Sequence, residues 1–129
     1  MTTRDIPWPD GTPCWTDLGA PDVAKASAFY SDVFGWTTSD MGGEYGGYKT
    51  FNLGEKGVGG LMKMPDPSIP SMWAPYIATE DVDATLAKAQ GLGGSTVIEA
   101  MDVPAVGRIA VLKDPVGAVF GIIKPEPQS

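Results

Sequence analysis

One internal repeat restricts what this chain can fold into more than any other feature. An amphipathic run opens at Pro21-Asp22, and a second opens at Glu80-Asp81, with the two aspartates 59 residues apart. A strand-like ending, Gly60-Leu61-Met62-Lys63, is matched 61 residues later by Gly121-Ile122-Ile123-Lys124. A repeat of this length marks one supersecondary unit used twice, each copy burying a face it cannot bury alone.

Residues 14–18 read as a short strand. Pro21 gives a rigid entry and Asp22 an N-cap to a helix over 23–34. Its apolar residues Val23, Ala26, Phe29, Tyr30, Val33 and Phe34 recur at three and four positions, which predicts that this face is buried. Gly35 supplies the left-handed stop. After a turn rich in glycine (Gly42, Gly43, Gly46, Gly47), residues 48–53 and 58–64 read as strands paired around Gly54-Glu55-Lys56-Gly57. Residues 65–70, Pro-Asp-Pro-Ser-Ile-Pro, form a connector, because proline fits neither a helix interior nor a central strand. The pattern then restarts: a strand over 73–78, a helix over 81–90 with Val82, Leu86 and Ala89 inward and Gly91 or Gly93 as its stop, and strands over 96–99, 107–112 and 118–123. Asp114-Pro115-Val116-Gly117 is the last turn.

The result is β-α-β-β-β twice. The chain is therefore read as α+β, a single domain over 1–129 with a first module of about 12–64, a linker at 65–71 and a second module of about 72–124. Each module has a small sheet with one face under a helix and the other face open. Two of them side by side make a curved mixed sheet around a cavity, with the helices on the outer face.

Composition removes several functions. Histidine is absent and Cys14 is the sole cysteine. Ser–His and Cys–His nucleophilic systems, an intrachain disulfide and a cysteine metal cluster are excluded. Cys14 itself reads as inert packing, with no histidine to activate it. The net charge is −7, and Arg4 and Arg108 are the only arginines. That is a poor match for a phosphate backbone, so nucleic acid is excluded as a partner. The acidity suits solubility first and a cationic ligand second. No run of about 18 apolar residues exists to span a membrane, and residues 1–9 lack a signal-peptide core, so the expected compartment is the cytoplasm.

The order of these motifs resembles the vicinal oxygen chelate superfamily, which includes glyoxalase I, extradiol dioxygenases and bleomycin-resistance proteins. The resemblance rests on Pro21-Asp22 through Phe29-Tyr30-Ser31-Asp32-Val33-Phe34-Gly35-Trp36, on Glu80-Asp81-Val82-Asp83-Ala84 and on Asp114-Pro115-Val116-Gly117-Ala118. It covers roughly residues 12–124 and implies the fold just described. The family's enzymes hold a divalent metal on His, Glu or Gln from four strands. Carried over by spacing, those positions are Trp15, Gly60, Ala74 and Gly121, and none has a side chain that can ligate. A slip of one residue gives Cys14, Gly59, Trp73 and Phe120, which does not restore a site. The expectation is no bound metal and no cofactor. Glycine and alanine there would open volume, with Trp15 as a flat wall; the same glycines also suit close strand packing.

Strand alternation extends this set. Trp15 brings Asp17 to its face, Gly60 brings Met62 and Met64, and Ala74 brings Tyr76. Tyr48, Thr50 and Asn52 are more polar than Lys49, Phe51 and Leu53, so they are placed on the cavity side. Trp15, Tyr45, Tyr48, Trp73 and Tyr76 are candidates for stacking on a flat ligand, against ordinary core packing. Met62 would be an adaptable lining. Arg108 would clamp a carboxylate or quinone oxygen, or else form a surface ion pair. With Gly60 and Gly121 these are the candidate ligand-binding residues.

The function these residues point to is a metal-free binding protein that sequesters an aromatic antibiotic or related natural product, in the manner of the family's self-resistance members. The resemblance also implies a homodimer whose subunits share their sites. A second reading is a metal-independent isomerase, cyclase or hydroxylase-like enzyme acting on a small aromatic or polyketide substrate, with Asp17, Tyr48 or Glu99 as acid or base. A third is an interaction protein with a vestigial cavity.

Overall fold

The structure is a computed structural model and describes residues 8–40, 48–64, 68–104 and 106–125. Its elements are β1 (Pro13–Ala20), α1 (Val23–Phe34), β2 (Thr37–Asp40), β3 (Lys49–Leu53), β4 (Lys56–Lys63), β5 (Met72–Ala78), α2 (Val82–Gly91), β6 (Ser95–Val103), β7 (Gly107–Lys113) and β8 (Val119–Pro125). This is the tandem βαβββ, α+β pattern with mixed strand pairing. The sequence reading lacked β2, whose four residues are all exposed and carry no apolar alternation. The chain divides into two units: Thr16–Trp73, and the segment ending at Trp15 together with residues from Ala74 onward.

In the first unit the strand order is β2-β3-β4-β1. β1 and β4 run parallel, and the other pairs are antiparallel. The Asp22 carboxylate accepts the Lys25 backbone N–H at 3.0 Å, capping α1, and Gly35 closes the helix at φ 72°. Leu18, Ala20, Phe51 and Leu61 form the core beneath α1, with Val23, Ala26, Tyr30 and Trp36 packed partly against it. The helix departs from its expected burial. None of its residues is buried, and Phe29, Val33 and Phe34 are more than half exposed. The apolar arc of α1 is wider than the strip its own sheet covers.

In the second unit the order is β5-β8-β7-β6, with β5 and β8 parallel. The approach to β1 belongs here: Gly11 N–H donates to the Ala78 carbonyl at 2.9 Å, and Ala78 N–H donates to Thr12 at 2.8 Å. Asp81 caps α2 through the Ala84 N–H at 3.0 Å, and Gly93 follows its end at φ 97°. Val82 and Leu86 meet Ala110, Leu112 and Ile122 in a second core. The final turn is held by Asp114, whose carboxylate accepts the N–H groups of Val116 and Ala118, both at 2.9 Å. That is the short-range side-chain bonding that makes Asp a turn residue.

The repeat is reproduced in the registers. Asp17 lies opposite Gly60 in the parallel pair of the first unit, and Tyr76 lies opposite Gly121 in that of the second.

Candidate functional site

In the first unit, four strands bring one row of residues to the face opposite α1. Asp17 pairs with Gly60, Gly60 with Thr50, and Thr50 with Ser39. Tyr48, just before β3, reaches over the row. Its hydroxyl donates to Asp17 Oδ1 at 2.7 Å, and both side chains are essentially inaccessible, at 0% and 1% exposure. A carboxyl group this deep loses most of its hydration, and a well-aligned phenol offsets part of that cost. Thr50 Oγ1 donates to Asn52 Oδ1 at 3.2 Å, and Asn52 Nδ2 donates to Ser39 Oγ at 2.9 Å. The row therefore runs from the buried Asp17–Tyr48 pair outward to the half-buried Asn52 and the exposed Ser39. Met62, also buried, shares the face through its alternation with Gly60.

Gly60 is required by this arrangement. A β-carbon at position 60 would overlap both the Tyr48 hydroxyl and Asp17 Oδ1. In the second unit the row is Tyr76, Gly121, Val111 and Ile98. A β-carbon on Gly121 would sit 2.5 Å from carbons of the Tyr76 ring. Val111, Ile109 and Ile123 are buried on this face, so the second row is apolar where the first is polar. The volume expected to open at Gly60 and Gly121 is thus taken by tyrosines of the chain itself. Close approach, the plainer use of glycine, is what the structure shows.

The remaining candidates fall in different places. Trp15 is buried in β1, and Tyr45 lies outside the described residues. Trp73 is on the α1 side: its indole N–H donates to the Tyr30 hydroxyl at 2.9 Å, and its ring meets those of Tyr30, Trp36 and Phe51. Alternation puts it opposite the Ala74 and Tyr76 face. Arg108 alternates with Ala110 and Leu112, which places it on the α2 side. There it grips the Asp83 carboxylate through two bonds of 2.9 Å and reaches Asp102 at 3.2 Å. Its guanidinium holds the Asp83 carboxyl below the usual carboxylate range and is itself held more firmly charged. Arg108 is a staple between α2 and β6, the ion-pair alternative of the sequence reading. Cys14 is buried, and desolvation pushes its thiol up to about 11. Ser39 and Tyr30 were missed as partners; no motif marks them, and only the strand register and the α1 packing bring them in.

The four positions where the resemblance puts metal ligands carry an indole, a methyl group and two hydrogens. Among the described residues no three acidic, cysteine or histidine side chains converge on one point. The carboxylate nearest those positions, Asp17, is engaged by Tyr48. These residues do not fit a divalent cation of the family type, which needs several oxygen or nitrogen donors.

A family model matches residues 14–122, nearly the whole described chain. The protein belongs to the glyoxalase/bleomycin resistance protein/dioxygenase superfamily. Two relatives within reach of sequence comparison are bacterial. CFP32 of Mycobacterium tuberculosis, which bears a glyoxylase name, is 44% identical over 119 residues, covering 92% of this chain and 46% of its own. The anthracycline biosynthesis protein DnrV of Streptomyces peucetius is 38% identical over 129 residues, covering 87% and 46%. The chain thus spans about half the length of these relatives. Among solved structures, methylmalonyl-CoA epimerase from Mycobacterium tuberculosis has the same superfamily fold at 18% identity, with a TM-score of 0.56 over 88% of this chain and 87% of its own. Among the described residues no helix is long and apolar enough to cross a membrane.

Proposed function

We propose that this superfamily member binds a flat aromatic natural product without a metal and holds it unaltered, as a sequestering protein of the cytoplasm. The observation that carries the metal-free part of this reading is the closure of both glycine positions by tyrosines, where the superfamily's metal enzymes carry donor side chains. The kinship with a protein named for anthracycline biosynthesis favours a fused-ring polyketide over a cationic glycopeptide. In this reading the Asp17–Tyr48 pair is a rigid polar floor. Beside it Thr50, Asn52 and Ser39 form a hydrogen-bonded run of their own that ends at groups a ligand can reach, and a few such groups suffice to orient a largely apolar ligand.

A second reading has one specific support. A phenol bonded at 2.7 Å to a buried carboxyl is also an acid–base pair, and DnrV is named for biosynthesis, not for binding. That reading makes the protein a metal-independent enzyme. Native mass spectrometry with a panel of anthracyclines, other flat polyketides and bleomycin separates the two. Recovery of bound, unmodified anthracycline, weakened at least tenfold by Asn52→Ala, is expected for the binding protein. Release of a compound of altered mass would transfer the assignment to the enzyme. Failure of every compound to bind would overturn both.

A further inference from the structure

Three side chains of the first unit form a hydrogen-bonded run whose direction is set from its buried end. Thr50 is 7% exposed, Asn52 is half-buried and Ser39 is exposed. Ser39 stands directly opposite Thr50 in the β2–β3 register, so the run lies across the two strands. Thr50 Oγ1 donates to Asn52 Oδ1, and Asn52 Nδ2 donates to Ser39 Oγ. A hydroxyl can both donate and accept, whereas a carboxamide has a separate donor end and acceptor end. Among the described residues the side-chain acceptor for the Thr50 proton is Asn52 Oδ1. Turning the amide over would bring Nδ2 against Thr50 and leave a buried hydroxyl proton without that acceptor, which is unfavourable. The burial of Thr50 therefore turns the Asn52 oxygen inward and its nitrogen outward.

The accessible end of the run is consequently a pair of donors. One Asn52 N–H is used on Ser39 and the second remains, and that group can only donate. Ser39 Oγ accepts the Asn52 bond and keeps its own proton for a further partner. A carbonyl oxygen has two lone pairs and can accept from both groups. Charge narrows the ligand class further. Asp40 and Lys49 alternate to the opposite face, so β2 and β3 put no charged side chain beside these donors. A carboxylate would find no cation on these strands, and it would approach a chain that already carries −7. A neutral ketone or quinone oxygen meets the two donors without that repulsion.

We propose that Asn52 and Ser39 select a flat aromatic ligand through a neutral carbonyl oxygen, and that Thr50 is a positioning residue that turns the donor end of Asn52 toward it. This rests on the binding reading above and names the ligand group that the same face takes. The test is calorimetric titration of the full chain with fluorenone, fluorene and fluorene-9-carboxylate, which share one ring system and differ at one carbon. Fluorenone is expected to bind at least tenfold more tightly than either of the others. Asn52→Asp, which puts oxygen where the outward nitrogen was, is expected to bring fluorenone and fluorene within twofold of each other. Thr50→Val is expected to lower their affinity ratio at least threefold with fluorene binding unchanged, and Thr50→Ser to restore the ratio. A merely structural Thr50 would weaken both compounds alike, and that result would overturn its positioning role. Should Thr50→Val lose its far-UV circular dichroism, Thr50→Ala removes the same hydroxyl and makes the same test. Equal binding of fluorenone and fluorene to the parent would overturn the proposal and leave the binding reading standing, as would tighter binding of the carboxylate. Failure of all three to bind would also overturn it, and the anthracycline panel then decides whether the binding reading falls with it.

Discussion

Replacing Gly60 with alanine adds one methyl group, and the structure says where it goes: into the Tyr48 hydroxyl and the Asp17 carboxylate. No backbone strain confuses the result, since Gly60 is not among the glycines at positive φ. Three effects set the magnitude. Overpacking a closed site costs about 1–3 kcal/mol. Displacing Tyr48 from Asp17 loses a hydrogen bond to a buried carboxyl group, about 1.5–3 kcal/mol. Lower unfolded-state freedom returns about 0.4–1 kcal/mol. The expected destabilisation is about 3 kcal/mol, which shifts the urea midpoint by about 2 M for a slope of about 1.5 kcal/mol per molar. Unfolding followed by tryptophan emission reads it directly. A double-mutant cycle then tests the cause. Tyr48→Phe removes the oxygen that the methyl group strikes, so Gly60→Ala should cost about 1 kcal/mol less in that background than in the parent. A Gly60→Ala protein within about 0.5 kcal/mol of the parent would refute the argument, as would strict additivity in the cycle.

Two further outcomes follow from the titrating groups. With its thiol pushed up to about 11, Cys14 is ionised in about one molecule per thousand at pH 8, so iodoacetamide should label it only after unfolding; prompt labelling of the native protein would contradict its burial. Asp83 is depressed by Arg108, so its contribution is present above the ordinary carboxylate range and is lost as pH falls through its lowered value. Asp83→Asn should therefore lower stability slightly at neutral pH and leave it unchanged at the acid end, so that the acid limb becomes shallower by that same small amount, small because exposed ion pairs contribute little; an acid limb of unaltered depth would rule that linkage out.

Much of the fold was legible because its signals are local. The caps Asp22 and Asp81, the stop at Gly35 and the turn at Asp114 each act through bonds to residues within a few positions, and a local bond leaves a local mark in the sequence. β2 left none, since its four residues are exposed and polar and pair with β3 at a sheet edge. The candidate site divides in the same way. Alternation tied Asp17 to Trp15 and Thr50 to Asn52, because parity is fixed along a strand, while the ligand spacing of the resemblance brought in Gly60 and polarity alone chose the face for Thr50 and Asn52. It could not tell whether the space above Gly60 was open or filled, because Tyr48 and Asp17 meet across 31 residues of sequence. Trp73 and Arg108 were drawn toward the site by residue type, whereas strand parity puts both beneath the helices.

The misreading of α1 is the more informative one. Its periodicity implies a buried face, yet the sheet of its own unit reaches only Val23, Ala26 and Tyr30. An apolar arc records everything a helix packs against, and it carries no label separating contacts within a chain from contacts between chains. At the two glycines the inference runs the other way. Small residues at positions where relatives place ligands look like vacancy, but a residue without a side chain records only that something approaches closely. At Gly60 that is a phenol bonded to a carboxyl group from neighbouring strands, and at Gly121 it is the ring of the residue directly opposite. The two modules fill equivalent positions by different routes, so the repeat preserves the backbone register and the small residue while the chemistry above it has diverged, polar in one half and apolar in the other.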